Sequence, residues 1–169
     1  MDECKKIVFS FNSSDEKSFA VIQQIIDSFE SSNLELFLID PKTPNPTIDE
    51  PDKYELISKD QMTGIDLIIS VGGDGTMLKS TKLAYELEIP ITGINRGRLG
   101  FLTDINPNQA LSVIKDIISG QFDIENRMLI EVFVRDDISL NSIGYAFNDI
   151  VINRKETGRM INIETLIDN

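Results

Sequence analysis

Leu67-Ile68-Ile69-Ser70-Val71 runs almost without a polar break into Gly72-Gly73-Asp74-Gly75-Thr76, and residues 76–87 behind it carry a helical pattern that Pro90 ends. An apolar run of this kind fits the centre of a parallel sheet covered on both faces, because a strand with one solvated face would alternate. A glycine-rich turn between such a strand and a helix lets backbone approach a ligand and aims helix N–H groups at an anion. Glycines 72, 73 and 75 are therefore expected to supply positive φ and close approach. A tight turn with Asp74 as a solvated cap is the plainer alternative, but three glycines around one acid favour a phosphate site.

The flanking segments repeat the strand-then-helix order. Ile7-Val8-Phe9 reads as a short buried strand. Ser13 and Glu16 have capping-box spacing ahead of Phe19, Ile22, Ile25, Ile26 and Phe29, which mark one helical face. The sequon Asn12-Ser13-Ser14 is better explained by that helix start. Residues 34–39 give a second strand, and four prolines within 41–51 make a loop. Residues 91–94 give another strand. Asn106, Pro107 and Gln109 open a helix whose apolar face is Ala110, Leu111, Ile114, Ile117 and Ile118, with Gly120 as its stop. This alternation predicts an α/β fold, a Rossmann-like doubly wound parallel sheet, over residues 1–121.

From residue 122 onward the pattern changes. Residues 129–134, 142–153 and 160–167 are strand-like with no helix between them, so residues 122–169 read as the first strands of an antiparallel all-β domain. Three such strands would leave edges and one face uncovered. The expectation is an incomplete domain or one that borrows strands from a partner.

Composition narrows the chemistry. With 28 acidic and 16 basic residues the formal charge is −12, which argues against nucleic-acid and anionic-membrane surfaces. The absence of histidine removes histidine triads, histidine metal sites and imidazole acid–base steps. The single Cys4 has no partner within the chain, the first residues lack the apolar stretch of a signal peptide, and no apolar run spans a bilayer. A cytoplasmic protein is expected.

An acid inside a phosphate loop repels the anion that the backbone attracts. Two roles reconcile them: a ligand to Mg²⁺ on the phosphates, or an acceptor that orients an attacking hydroxyl and takes its proton. Both belong to phosphoryl transfer. The loop is neither a Walker sequence nor the Gly-x-Gly-x-x-Gly dinucleotide motif. Arg96 and Arg98 could counter phosphate charge or be solvated loop arginines. Asp123 and Glu125 read as a solvated acidic turn.

The loop at 72–76 resembles the signature shared by NAD kinases, diacylglycerol and sphingosine kinases and, more loosely, phosphofructokinases. Gly93-Ile94-Asn95-Arg96-Gly97-Arg98-Leu99-Gly100-Phe101-Leu102-Thr103 resembles the second NAD kinase motif. Phe147-Asn148-Asp149-Ile150-Val151-Ile152 resembles that family's Asn-Glu block, with Asp149 in place of the usual Glu, and Gly158-Arg159-Met160 resembles its following basic position. The resemblance implies an ATP-dependent NAD kinase, in which Mg²⁺-bound ATP gives its γ-phosphoryl to the 2′-hydroxyl of the adenosine ribose of NAD, forming NADP. It implies Asp74 as the catalytic proton acceptor and nucleotide contacts at Gly72, Gly73, Asp74, Gly75, Thr76, Lys79, Phe101, Asn148, Asp149 and Arg159, with no metal held by protein ligands alone. It implies a homo-oligomer, dimer or tetramer, with NAD and ATP as its ligands. The family's later Asp-Gly and Thr-Pro-Thr-Gly-Ser-Thr-Ala-Tyr blocks are absent, so 122–169 are expected to be the opening of a β-sandwich-like NAD-binding domain. A lipid or sugar kinase with the same glycine loop, or a nucleotide-binding or assembly module without turnover, are the alternatives.

Overall fold

A computed structural model of the chain describes residues 4–43, 54–96, 100, 102–103, 105–135, 138–153, 160 and 162–167. It divides into two compact units, Met1–Asn126 and Arg127–Asn169.

In the first unit, β1 (Lys6–Ser10), β2 (Glu35–Ile39), β3 (Glu55–Leu56), β4 (Leu67–Gly72) and β5 (Ile91–Asn95) form one parallel sheet in the order β3-β2-β1-β4-β5. Every residue of β4 is buried, and the reason lies in how the pleat divides its side chains. Ile69 and Val71, with Ile7 and Phe9 of β1, face α1 (Glu16–Ser28) and α3 (Ala110–Ile118) through Phe19, Ile22, Ile25 and Ile114. Ile68 and Val8 face the other way, onto Leu83 and Ala84 of α2 (Asp74–Leu87). Strands with helices on both sides have no solvated face, so both sets of alternating residues are apolar. The expected doubly wound α/β sheet is present.

The connections from β1 run outward to β2 and those from β4 outward to β5, so the order reverses between β1 and β4. Ligands of such sheets bind outside the carboxyl ends of the strands at that reversal. Beneath it, Ser10 of β1 and Ser70 of β4 are paired in register and fully buried. Ser80 of α2 places its Oγ 2.7 Å from Ser10 Oγ, 3.1 Å from Ser70 Oγ and 3.0 Å from the Thr76 carbonyl oxygen. These buried hydroxyls satisfy one another, and they tie the second turn of α2 to both central strands.

Several local expectations are corrected. The N-cap of α1 is Asp15, whose carboxylate accepts from the Ser18 N–H and hydroxyl, and not Ser13, which is drawn to Asp40 instead. The helix after Asn106 begins as a 3₁₀ turn, Pro107–Gln109, with Asn106 accepting from the Asn108 N–H, and continues as α3. α2 begins at Asp74, ahead of the expected residue 76, and ends on Glu88 in the left-handed conformation. β3 has only two residues and no pattern that could announce it.

In the second unit, β6 (Ile130–Arg135) and β7 (Leu140–Ala146) form an antiparallel pair with an irregularity between Val132 and Phe133. The strand expected over 142–153 is thus shorter and earlier. Residues 160 and 162–167 carry no regular structure, so the expected third strand is not formed among the described residues. A strand is stabilised by ladder partners and by a covered face, not by its own pattern.

Candidate functional site

The site is built where β4 ends. Gly72 is required by close approach, since a Cβ there would sit 2.6 Å from Thr76 Oγ1. Gly73 is the N-cap of α2 in an extended conformation and has no side chain with which to cap the helix, so an outside acceptor can serve that end. Its carbonyl oxygen accepts from the N–H groups of Thr76 and Met77. Contrary to expectation, Gly73 and Gly75 do not use positive φ: Gly73 is extended at φ −105°, Gly75 is helical, and both have open space where a Cβ would be. What these two positions offer is unobstructed access to the backbone.

Asp74, the first residue of α2, is partly buried and directs its carboxylate toward the segment after β5. Oδ1 accepts from the Leu102 N–H at 3.2 Å, and a Cβ on Gly100 would lie 2.7 Å from Asp74 Cγ and overlap the carboxylate oxygens. That segment is anchored at both ends. The Asn95 N–H donates to Ile105 O at 2.8 Å, the Ile105 N–H to Gly93 O at 3.3 Å, and Asn95 Nδ2 to Thr103 O at 3.4 Å. Gly100 and the Leu102 N–H therefore hold the candidate acid in place, a contact that pattern reading did not single out. Both lie inside the motif at 93–103, but the contact joins residues 28 apart in sequence.

The opposite flank of the loop, over β1 and β2, is basic. Asp40, just past β2, is buried; Oδ2 accepts from the Ser13 N–H at 2.9 Å and hydroxyl at 2.7 Å, and Oδ1 from the Lys42 N–H at 2.8 Å. Burial alone would raise its pKa, but the Ser13 hydroxyl and the N–H groups of Ser13, Lys42 and Thr43 together hold it below the usual value. Lys79 has a lowered pKa because the Lys42 side chain is within hydrogen-bonding reach, with partial desolvation and the Lys42 charge adding to it and the Asp40 charge opposing. Asn12, Asp40, Lys42, Thr76 and Lys79 surround a cavity of about 30 Å³.

Arg96, at the end of β5, ties the two flanks together. Its N–H donates to Gly72 O at 3.1 Å and its guanidinium meets Asp15 Oδ2 at 2.5 Å. For Asp15 burial works to raise the pKa, and the Ser18 and Arg96 hydrogen bonds overcome it. Arg96 is thus half-exposed but engaged by a carboxylate, between the two alternatives left by the sequence.

Of the expected site residues, Gly72, Gly73, Asp74, Gly75, Thr76 and Lys79 come together at this one helix start. Asn148 and Asp149 belong to the second unit, where both are exposed and Asn148 Nδ2 donates to Asp149 Oδ2 at 3.0 Å. Phe101, Arg159 and Arg98 lie outside the described residues. No group of three or more acidic or cysteine side chains able to hold a metal ion occurs among the described residues. A Mg²⁺ carried mainly by phosphate oxygens needs only one or two carboxylates, a requirement Asp74 can meet.

A glycine-lined helix start with an acid clamped on one flank and lysines on the other can now be set beside known proteins. A model of the ATP-NAD kinase N-terminal domain matches residues 10–122. The chain belongs to the NAD kinase family. It is 42% identical over 134 residues to an NAD kinase of Chromobacterium violaceum, covering 78% of this chain and 45% of that one. It is 47% identical over 106 residues to an NAD kinase of Laribacter hongkongensis, covering 62% of this chain and 36% of the relative. It therefore spans less than half the length of these NAD kinases. Yeast NADH kinase complexed with NADH shares the fold, with a TM-score of 0.68 at 18% identity over 88% of this chain and 48% of the other. No helix among the described residues is long and apolar enough to cross a membrane.

Proposed function

We propose that a protein containing this chain at the length of its NAD kinase relatives transfers the γ-phosphoryl group of ATP to the 2′-hydroxyl of the adenosine ribose of NAD, giving NADP. The observation that carries this reading is the Asp74 carboxylate, fixed by the Leu102 N–H against Gly100 at the open N-terminus of α2. In this reading the 2′-oxygen attacks the γ-phosphorus, its proton passes to Asp74, and ADP departs with the electrons of the broken P–O bond. Transfer through a loose transition state needs alignment and charge neutralisation more than covalent help.

Gly72, Gly73, Gly75 and Thr76 present backbone to the phosphates, and Lys79 adds positive charge. The family resemblance supports further nucleotide-binding roles for Phe101, Asn148, Asp149 and Arg159. Mg²⁺ bound to ATP supplies electrostatic stabilisation of the phosphates, and Asp74 and the loop hold the reactants around it. The family resemblance also supports a cytoplasmic homo-oligomer of two or four chains, a point that light scattering on the purified protein decides.

The test uses this chain extended by the C-terminal portion of the Chromobacterium violaceum relative, offered NAD, a diacylglycerol and fructose 6-phosphate with Mg²⁺ and ATP. NADP alone should form. Asp74→Asn should lower turnover by about 10²- to 10⁴-fold while leaving NAD binding near its original value. Undiminished turnover in that variant, or phosphorylation of the lipid or sugar in place of NAD, refutes the reading.

A further inference from the structure

Arg96 is the first residue beyond β5, and Asp15 caps α1, the helix that follows β1. Because β4 lies between β1 and β5 in the sheet, the Arg96 side chain crosses the carboxyl end of β4 to meet Asp15 Oδ2 at 2.5 Å. Over the same strand end its backbone N–H donates to the Gly72 carbonyl oxygen at 3.1 Å. The carboxylate that receives the guanidinium is itself held. Asp15 Oδ1 accepts from the Ser18 N–H at 3.4 Å and Oδ2 from the Ser18 hydroxyl at 2.9 Å, and Ser18 has no exposed surface. Arg96 is thereby tied to the buried side of α1.

An ion pair with a half-exposed arginine contributes little to overall stability. What it fixes is where a segment begins. Gly97, Arg98 and Leu99 alone separate Arg96 from Gly100 along the chain. Gly100 lies against the Asp74 carboxylate, and the Leu102 N–H donates to Asp74 Oδ1. Just beyond, Thr103 O accepts from Asn95 Nδ2, and Ile105 bridges Ile94 in parallel. The segment that clamps the acid thus leaves the sheet at Arg96 and rejoins it at Ile105. Its far end is held by bonds to β5, and its near end by the Arg96 N–H on Gly72 and the Arg96 guanidinium on Asp15.

We infer that Asp15 and Arg96 are a positioning pair for the Asp74 carboxylate, acting through the segment from Arg96 to Leu102. The inference rests on the phosphotransferase reading above and adds two residues that serve it without touching a reactant. Asp15 fixes Arg96, Arg96 fixes the start of the segment, and the Leu102 N–H fixes the direction in which the carboxylate meets a hydroxyl. A misplacement of about 1 Å at such an acceptor lowers turnover on the order of 10²-fold. A pair with little weight in stability therefore has leverage on rate.

Amide hydrogen exchange on the chain itself tests the geometry without any turnover. The Leu102 N–H should be protected in the unsubstituted chain and should exchange about tenfold faster in Arg96→Gln, which keeps the backbone bond to Gly72. Asp15→Ser, which keeps a capping hydroxyl for α1, should have a similar effect, and the double variant should add little to either. Arg96→Lys should recover part of the protection. Exchange at Ile69 in β4 should change less than about twofold, which separates a local release from general loosening. In the extended protein Arg96→Gln should lower kcat about tenfold, with the KM values for NAD and ATP moving less than about twofold. The pair is overturned if Leu102 is unprotected at the outset, if Arg96→Gln leaves its exchange unchanged, if Ile69 loosens as much, or if the two single effects add. Faster exchange at Leu102 in Arg96→Gln, in an extended protein that forms no NADP even unsubstituted, sinks the proposed function and keeps the pair. NADP formation with kcat unmoved by Arg96→Gln does the reverse.

Discussion

Both units of the chain contain strands rich in isoleucine, valine and phenylalanine, but they meet opposite fates. Ile68, Ile69 and Val71 of β4 have no exposed surface, whereas Phe133 of β6 is 48% exposed and Ile143 of β7 is 65% exposed. Apolar content alone does not decide burial. In the first unit every central strand has neighbours on both edges and helices on both faces, so each side chain removed from water also gains packing partners. In the second unit β6 and β7 pair only with each other among the described residues, and their side chains stand largely in solvent. The contrast teaches that the site around Asp74 rests on a scaffold that is already closed, while Asn148 and Asp149 sit on one that is not.

The largest effect expected from that contrast is on stability. Ile69→Ala removes a side chain enclosed by two layers and should cost about 2–5 kcal/mol, read from denaturant midpoints. Gly100→Ala comes next. The added methyl overlaps the Asp74 carboxylate, so either the segment or the acid must shift, at about 1–3 kcal/mol. It should lower NADP formation in the extended protein far more than it lowers the melting temperature, and unaffected turnover would show that the clamp on Asp74 is dispensable.

Acid should probe the same unit more gently. Because the folded pKa of Asp40 lies below its ordinary 3.8, its contribution is complete above that value and is lost as pH falls through the folded pKa. Melting temperature should fall below about pH 3.8 more steeply in the unsubstituted chain than in Asp40→Asn. The variant itself should lose about 1–3 kcal/mol at neutral pH by weakening bonds to a charged acceptor. Parallel acid limbs would remove Asp40 from the account. The smallest effect belongs to the second unit: Phe133→Ser should shift the denaturant midpoint by less than about 0.5 kcal/mol. A loss comparable with Ile69→Ala would break the contrast between the two units.

The features legible in the sequence are those dictated by neighbours along the chain. The apolar run at 67–71 could be read as a central strand because both of its faces are covered, and Asn106-Pro107 and Gly120 mark their boundaries by local backbone chemistry. The N-cap of α1 is not legible locally because Ser13 and Asp15 are both competent caps, and the choice is made by Asp40, 27 residues from Ser13, which takes Ser13 for itself. The third strand expected over 160–167 failed for the complementary reason: strand pattern without a partner is not yet a strand. At the site, the glycine loop and its acid were visible, but the flank each side chain faces was not. That depends on where β2 and β5 place Lys42 and Gly100, and no periodicity within the loop encodes it.

The absence of a side chain at position 100 has an evolutionary consequence. Since the Asp74 carboxylate occupies the volume a β-carbon there would need, the two positions cannot drift independently. A lineage that acquired bulk at 100 would have to shorten or redirect residue 74 to regain its fold, and in doing so would surrender the acid. Suppressor selection on Gly100→Ala should therefore return compensating changes in the backbone around the motif at 93–103, or reversion, and not replacements at 74 that retain turnover.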